Sequence, residues 1–255
     1  MTPTFSFIKS ATEGRDRKSL YLAFTAASVL QAQIVRDSKR LMEPPLPKPI
    51  PIHARHFPAI CKLRKHPPCN DYFTFEIQKF FPDRQPCRLL YIAQTLGPDT
   101  RRTLIKFTQQ YSIELHTFCA NMGRAPKILA FQQLPGGWSA VAMEYTESAC
   151  SIADAHDLPA HLNDWMKKIE DLMSGFHDAG FVHGDLRDAN IICNGDSVML
   201  IDFDWAGEAG KMSYPTPRLN GELVRGRRFD DLTIRKEDDI RILKNTFAKL
   251  QGLRM

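Results

Sequence analysis

The sequence predicts an α+β fold: a small, mostly antiparallel sheet with one packed helix, then a second half that is helical first. Three observations carry this. Residues 72–146 hold short runs of alternating apolar and polar side chains, separated by turn residues. Leu162, Trp165, Met166, Ile169, Leu172, Met173 and Phe176 recur at steps of three and four, the stripe of one buried helix face. Beyond that stripe, His, Asp and Asn crowd a loop that leads into two short apolar runs.

In chain order, Phe73, Phe75 and Ile77 alternate like a half-buried strand, and residues 89–93 and 103–107 are two more. Gly97-Pro98-Asp99 lies between the last two as a hairpin signal. Residues 109–121 form a helix, for which Gly123 supplies a left-handed stop. Residues 128–131 and 139–144 make a hairpin across Leu134-Pro135-Gly136-Gly137. The helix carrying the apolar stripe ends near Gly180. Residues 190–193 and 198–203 pair across Asn194-Gly195-Asp196, a tight turn. A final helix spans about residues 236–251.

Composition and charge set the frame. A chain of 255 residues, 43% hydrophobic and 25% charged, buries a core without disulfide or metal staples and is not disordered overall. Residues 1–71 carry 12 Lys/Arg against 5 Asp/Glu and 9 of the 17 prolines, and the remainder carries 22 against 24. The basic excess therefore belongs to an N-terminal, proline-rich extension, residues 1–71, ahead of a domain over 72–255 (72–146 and 147–255 for its two lobes). A nucleic-acid role is not favoured for that domain. Cys61, His66 and Cys69, with His53 and His56, match no common zinc spacing and read as an ordinary linker. The six cysteines have no framework spacing, which suits thiols in a reducing compartment. Residues 20–35 contain Thr25, Ser28, Gln31 and Gln33 and are too short and polar to span a bilayer. A soluble intracellular protein, cytoplasmic or nuclear and without a membrane partner, is the expectation.

The chemistry lies in His183-Gly184-Asp185-Leu186-Arg187-Asp188-Ala189-Asn190 and Ile201-Asp202-Phe203-Asp204. The hairpin between them returns Asp202 beside the loop of Asp185 and Asn190. Converging carboxylates repel unless a cation or proton joins them. Magnesium takes a few carboxylate or amide oxygens together with phosphate oxygens. Asn190 and Asp202 can hold such an ion, Asp185 is left to accept a proton from an attacking hydroxyl, and a nucleotide phosphate completes the shell. The implied reaction is phosphoryl transfer, in which positioning and charge stabilisation dominate.

From about Tyr72 to Gln251 the chain resembles the protein-kinase-like superfamily. Asp185 matches the catalytic-loop aspartate, Asn190 the metal-binding asparagine and Asp202 the metal-binding aspartate. His183-Gly184-Asp185 in place of His-Arg-Asp is similar to aminoglycoside- and choline-kinase-type phosphotransferases. The block that includes Asp202-Phe203-Asp204-Trp205-Ala206-Gly207 is most similar to fungal protein-kinase-like proteins. Leu104-Ile105-Lys106-Phe107 resembles the strand motif whose lysine holds the α- and β-phosphates, and Glu114 looks like the helix glutamate that pairs with it. Val141-Ala142-Met143-Glu144-Tyr145 resembles the strand leading to the adenine hinge, with Met143 at the back of the pocket and the backbone of Glu144 and Thr146 meeting adenine. Arg187 is implied near the transferring phosphate. The resemblance thus implies a two-lobed kinase-like fold and an ATP- and Mg²⁺-dependent kinase acting on a hydroxyl of a protein or small molecule.

The sequence also departs from that pattern. No glycine-rich loop precedes Lys106; residues 80–88 read Phe-Phe-Pro-Asp-Arg-Gln-Pro-Cys-Arg, where two prolines remove donors and Arg84 and Arg88 are candidate substitutes for phosphate-binding amides. Asp204 replaces the glycine of Asp-Phe-Gly, either near the metal or solvated. Only 48 residues follow Gly207, and Ala-Pro-Glu is absent. Asp238 or Asp239 is placed to brace the catalytic loop. These departures keep a second reading open, a pseudokinase scaffold that binds without turnover.

Overall fold

The computed structural model describes residues 13–41, 59–67, 69–81, 89–97, 99–155, 158–216, 219–224, 227–228 and 231–252. The chain divides into two units, Met1–Phe57 and Pro58–Met255. In the first, helix α1 runs Glu13–Leu41. Its apolar side chains Phe24, Leu30 and Ile34 are exposed. The proline run over residues 44–51, with His53 and His56, lies outside the described residues. No described helix is long and apolar enough to cross a membrane.

The sheet of the second unit starts inside the segment read as extension. Strand β1, Lys62–Arg64, pairs antiparallel with β2, Tyr72–Phe80. Leu63 is fully buried between exposed neighbours, too short a pattern to stand out against the surrounding prolines and basic residues. The boundary expected at residue 71 is therefore too late for the sheet. Then follow β3, Leu89–Thr95; β4, Arg102–Thr108; helix α2, Ile113–Asn121; β5, Ile128–Leu134; and β6, Trp138–Glu144. The strands form one antiparallel sheet in the order β1-β2-β3-β4-β6-β5. In β4, Thr103, Ile105 and Phe107 are buried in the sheet lobe, so the period of two turns Leu104, Lys106 and Thr108 to the opposite face.

Helix α2 begins four residues later than expected. Ser112 caps it, its Oγ accepting from Leu115 N at 3.3 Å, so residues 109–111 stay outside the helix. Gly123, at φ +67°, ends it as the sequence indicates.

The helical lobe follows β7, Cys150–Ser151. Its main helix α3, Leu158–Asp178, buries Leu162, Trp165, Ile169, Leu172 and Phe176, as the spacing required. Each such side chain contributes about 1.5–3 kcal/mol on burial. Strand β8, Phe181–Val182, precedes the polar loop. Strands β9, Ile191–Asn194, and β10, Ser197–Leu200, form the expected hairpin, with Gly195 at φ +54°. Strand β11, Gly207–Glu208, pairs with β8. A short helix α4, Gly221–Val224, and the last helix α5, Lys236–Gly252, complete the lobe.

Candidate active site

The β9–β10 hairpin and the loop before it form one bracket. His183 is fully buried; its Nε2 donates to Ile201 O at 3.2 Å, and its Nδ1 accepts from Asp185 N at 3.3 Å. Ile201 N donates to Asn190 O at 3.0 Å. Asn190 Nδ2 donates to Asp185 O at 3.0 Å. Residues 185, 190 and 201 are thereby tied together by backbone and amide bonds, with Asp202 one residue beyond. The Nδ2 bond fixes the orientation of the Asn190 amide and leaves Oδ1 buried with no hydrogen-bond partner.

The loop is braced from below by Asp239, one of the two acidic candidates on α5. Its carboxylate is fully buried and accepts from His183 N and Gly184 N, each at 2.7 Å, and from His177 Nε2 at 3.1 Å. Gly184 sits at φ +81°, and a Cβ there would lie 3.1–3.3 Å from Ile234 and Trp205. Its carbonyl accepts from the buried Tyr214 hydroxyl at 2.7 Å. A glycine in the His-Gly-Asp triplet is thus what both the backbone and the packing require.

Asp202 adopts φ 68°, the only non-glycine in the left-handed region among the described residues. Such a conformation persists where its surroundings over-determine it, commonly at functional sites. Here the next residue is clamped: Phe203 O accepts from Ser112 N at 3.1 Å. The Phe203 ring stacks on His116 at 4.5 Å and lies 5.2 Å from His183. His116 is buried between Tyr111 OH, at 2.6 Å from Nδ1, and Pro126 O, at 2.7 Å from Nε2. Burial lowers its pKa from 6.5 to about 4. Protonation therefore favours the unfolded chain, and stability falls as pH drops from 6.5 towards 4. The expected loss is about 2 kcal/mol by pH 5. Urea unfolding at pH 7 and pH 5 should show a smaller loss for His116→Gln than for the wild type; equal losses would exclude this residue as a source.

A cleft of about 510 Å³, in the size range of small-molecule sites, is lined by Leu104, Lys106, Met143, Ile192, Ile201 and Asp202, and also by Glu144 and Thr146. Lys106 Nζ donates to Asp202 Oδ1 at 2.5 Å and lies 2.7 Å from Asp204 Oδ1. Burial pushes the Asp204 carboxyl above its usual range; the Asp202 charge adds to the rise and Lys106 opposes it. Asp204 is thus neither simply solvated nor apart from the cluster.

Two expected contacts are different. Glu114 is exposed in the first turn of α2 and does not pair with Lys106. The Lys106 ammonium instead meets Asp202 and Asp204, and the Tyr111 ring ahead of α2 lies 5.7 Å from Nζ. Asp185 is buried but not free. Arg187 Nε donates to its Oδ1 at 2.5 Å and Arg187 Nη2 to its Oδ2 at 2.8 Å. That hydrogen bond holds the guanidinium pKa above its ordinary value. Arg84 and Arg88 lie outside the described residues.

Sequence reasoning missed Ile192 in the cleft lining and the non-helical segment before α2. Ile192 lines the cleft while Ile191 and Cys193 are buried, so the alternation of β9 was the available signal. Gln109, Gln110 and Tyr111 line it because Ser112 stops the helix from including them.

Among the described residues, no group of three or more His, Cys, Asp or Glu is arranged to hold a metal. A set of one amide and one carboxylate does fit magnesium, which takes few protein ligands and fills the rest with phosphate and water. The unpartnered Asn190 Oδ1 supports that fit.

An antiparallel sheet lobe, a helical lobe and a lysine- and aspartate-lined cleft define a two-lobed α+β fold of the protein-kinase-like class. Among solved structures, the chain is similar to the kinase PK-1 of the Cydia pomonella granulovirus, at a TM-score of 0.51 and 16% identity. The match covers 70% of this chain and 69% of that one, and at this identity it speaks for the fold alone. No family model matches the chain, and no curated protein does.

Proposed function

We propose that the chain is an ATP- and Mg²⁺-dependent phosphotransferase that moves the γ-phosphate of ATP to a hydroxyl of a protein or small-molecule acceptor. The observation that carries this reading is the buried, unpartnered Asn190 Oδ1, bonded through its own backbone to the residue before Asp202. A buried acceptor without a donor costs about 1–3 kcal/mol, and a hard cation relieves it. Asn190 and Asp202 would hold the metal. Lys106 would draw in the α- and β-phosphates, and the cleft wall of Met143, Glu144 and Thr146 would receive adenine. Mg²⁺–ATP supplies the activated phosphoryl group and its counter-charge.

Asp185 would take the acceptor proton. One of its oxygens must first exchange an Arg187 hydrogen bond for the acceptor hydroxyl. Arg187, released from that oxygen, then offers its charge to the transferring group. His-Gly-Asp and Asp204 favour a small acceptor over a peptide; a metabolite screen run beside a peptide array decides between them.

The wild-type chain should be stabilised by ATP, and more so with Mg²⁺; a ligand at 100 times its Kd adds about 2.7 kcal/mol. In Asp202→Ala the Mg²⁺-dependent part should vanish. Thermal shift with and without Mg²⁺ checks both, and equal stabilisation of the wild type in the two conditions would contradict the metal assignment.

A second reading, a pseudokinase scaffold, draws support from the exposed Glu114 and from the occupation of both Asp185 oxygens by Arg187. Nucleotide binding without any ADP formation in a turnover assay is its signature.

A further inference from the structure

The ammonium of Lys106 is held between two carboxylates, Asp202 at 2.5 Å and Asp204 at 2.7 Å. The Lys106 side chain is only 14% exposed and that of Asp204 30%, so the contact is partly shielded from water. Two carboxylates on one ammonium are one more than charge balance needs. The phosphotransferase reading, on which this inference rests, assigns Asp202 to the cation, and Glu114 is exposed and makes no ion pair with Lys106. We infer that Asp204 is the positioning residue for Lys106, holding the ammonium towards the cleft when Asp202 turns to the metal.

The arrangement has a mechanical consequence. Asp202 and Asp204 flank Phe203, which is locked by His116, His183 and Ser112 N. The metal ligand and the lysine anchor therefore sit on one clamped tripeptide. Helix α2 contributes through its packing on Phe203 and not through a charged side chain.

The test is a double-mutant cycle on the full chain, with ATP affinity measured by calorimetry across a Mg²⁺ series. Asp204→Asn should weaken ATP binding about tenfold at saturating Mg²⁺, the scale of one close, partly shielded ion pair. The Mg²⁺ concentration for half-maximal binding should not move. Asp204→Asn should cost nothing further in a Lys106→Met background, Asp204→Glu should restore most of the affinity, and Glu114→Gln should bind like the wild type. A shifted Mg²⁺ requirement would make Asp204 a metal ligand and overturn the inference. Additive losses with Lys106→Met would overturn it too. A wild-type chain that binds no nucleotide overturns the phosphotransferase reading and this inference with it. Wild-type binding with an unaffected Asp204→Asn overturns this inference alone.

Discussion

Asp185→Asn is expected to lower phosphotransfer by about 10²–10⁴-fold, the usual contribution of a general base, with ATP binding retained. The substitution keeps the shape of the side chain but removes its charge and turns one acceptor oxygen into a donor. That donor faces Arg187, whose two nitrogens now bond both Asp185 oxygens, so the bidentate grip is lost as well. Asp185 is not among the residues lining the cleft, whereas Lys106 and Asp202 are. Steady-state kinetics and calorimetric ATP affinity should therefore part company in the variant. Unchanged turnover removes Asp185 from the chemistry. Parallel loss of turnover and ATP binding reassigns it to holding the loop.

Removing Asp239 should cost more stability than any other single change in the site. Its carboxylate, with no exposed surface, accepts from two backbone amides and one imidazole. Asp239→Ala leaves three buried donors without an acceptor. Breaking such a buried charged network costs about 3–5 kcal/mol, a large part of a typical domain's stability. Urea unfolding at pH 7 measures it, and a variant as stable as the wild type would show that the brace is dispensable. Asp239→Asn should fall between the two, since it keeps one acceptor oxygen but points a donor at a backbone amide. Both variants release His183 and Gly184, so catalytic loss here would come through a displaced loop and not through a missing reactive group.

The fold was legible wherever burial followed a simple period. The stripe on α3 needed only the 3.6-residue repeat, because each position faces one continuous core. The β9–β10 hairpin and Gly123 were legible for an equally local reason, a turn residue whose backbone conformation few others adopt. Strand β1 was not, since three residues with one buried side chain carry no periodicity. The start of α2 was misplaced because residues 109–112 are compatible with a helix, and the competition is decided by Phe203 O, nearly a hundred residues away, which takes the Ser112 amide.

From the sequence alone follow the residue types and order of the site: Lys106, Asp185, Asn190 and Asp202, with their loops and strands. These are local matters of spacing, strand alternation and turn chemistry. Which charge faces which was decided only by tertiary structure. The pairing of Lys106 with Asp204, of Arg187 with Asp185 and of Asp239 with the loop amides joins residues from 2 to 98 positions apart. Coulomb forces and hydrogen bonds act through space, so a partner is chosen by how the lobes pack and not by its distance along the chain.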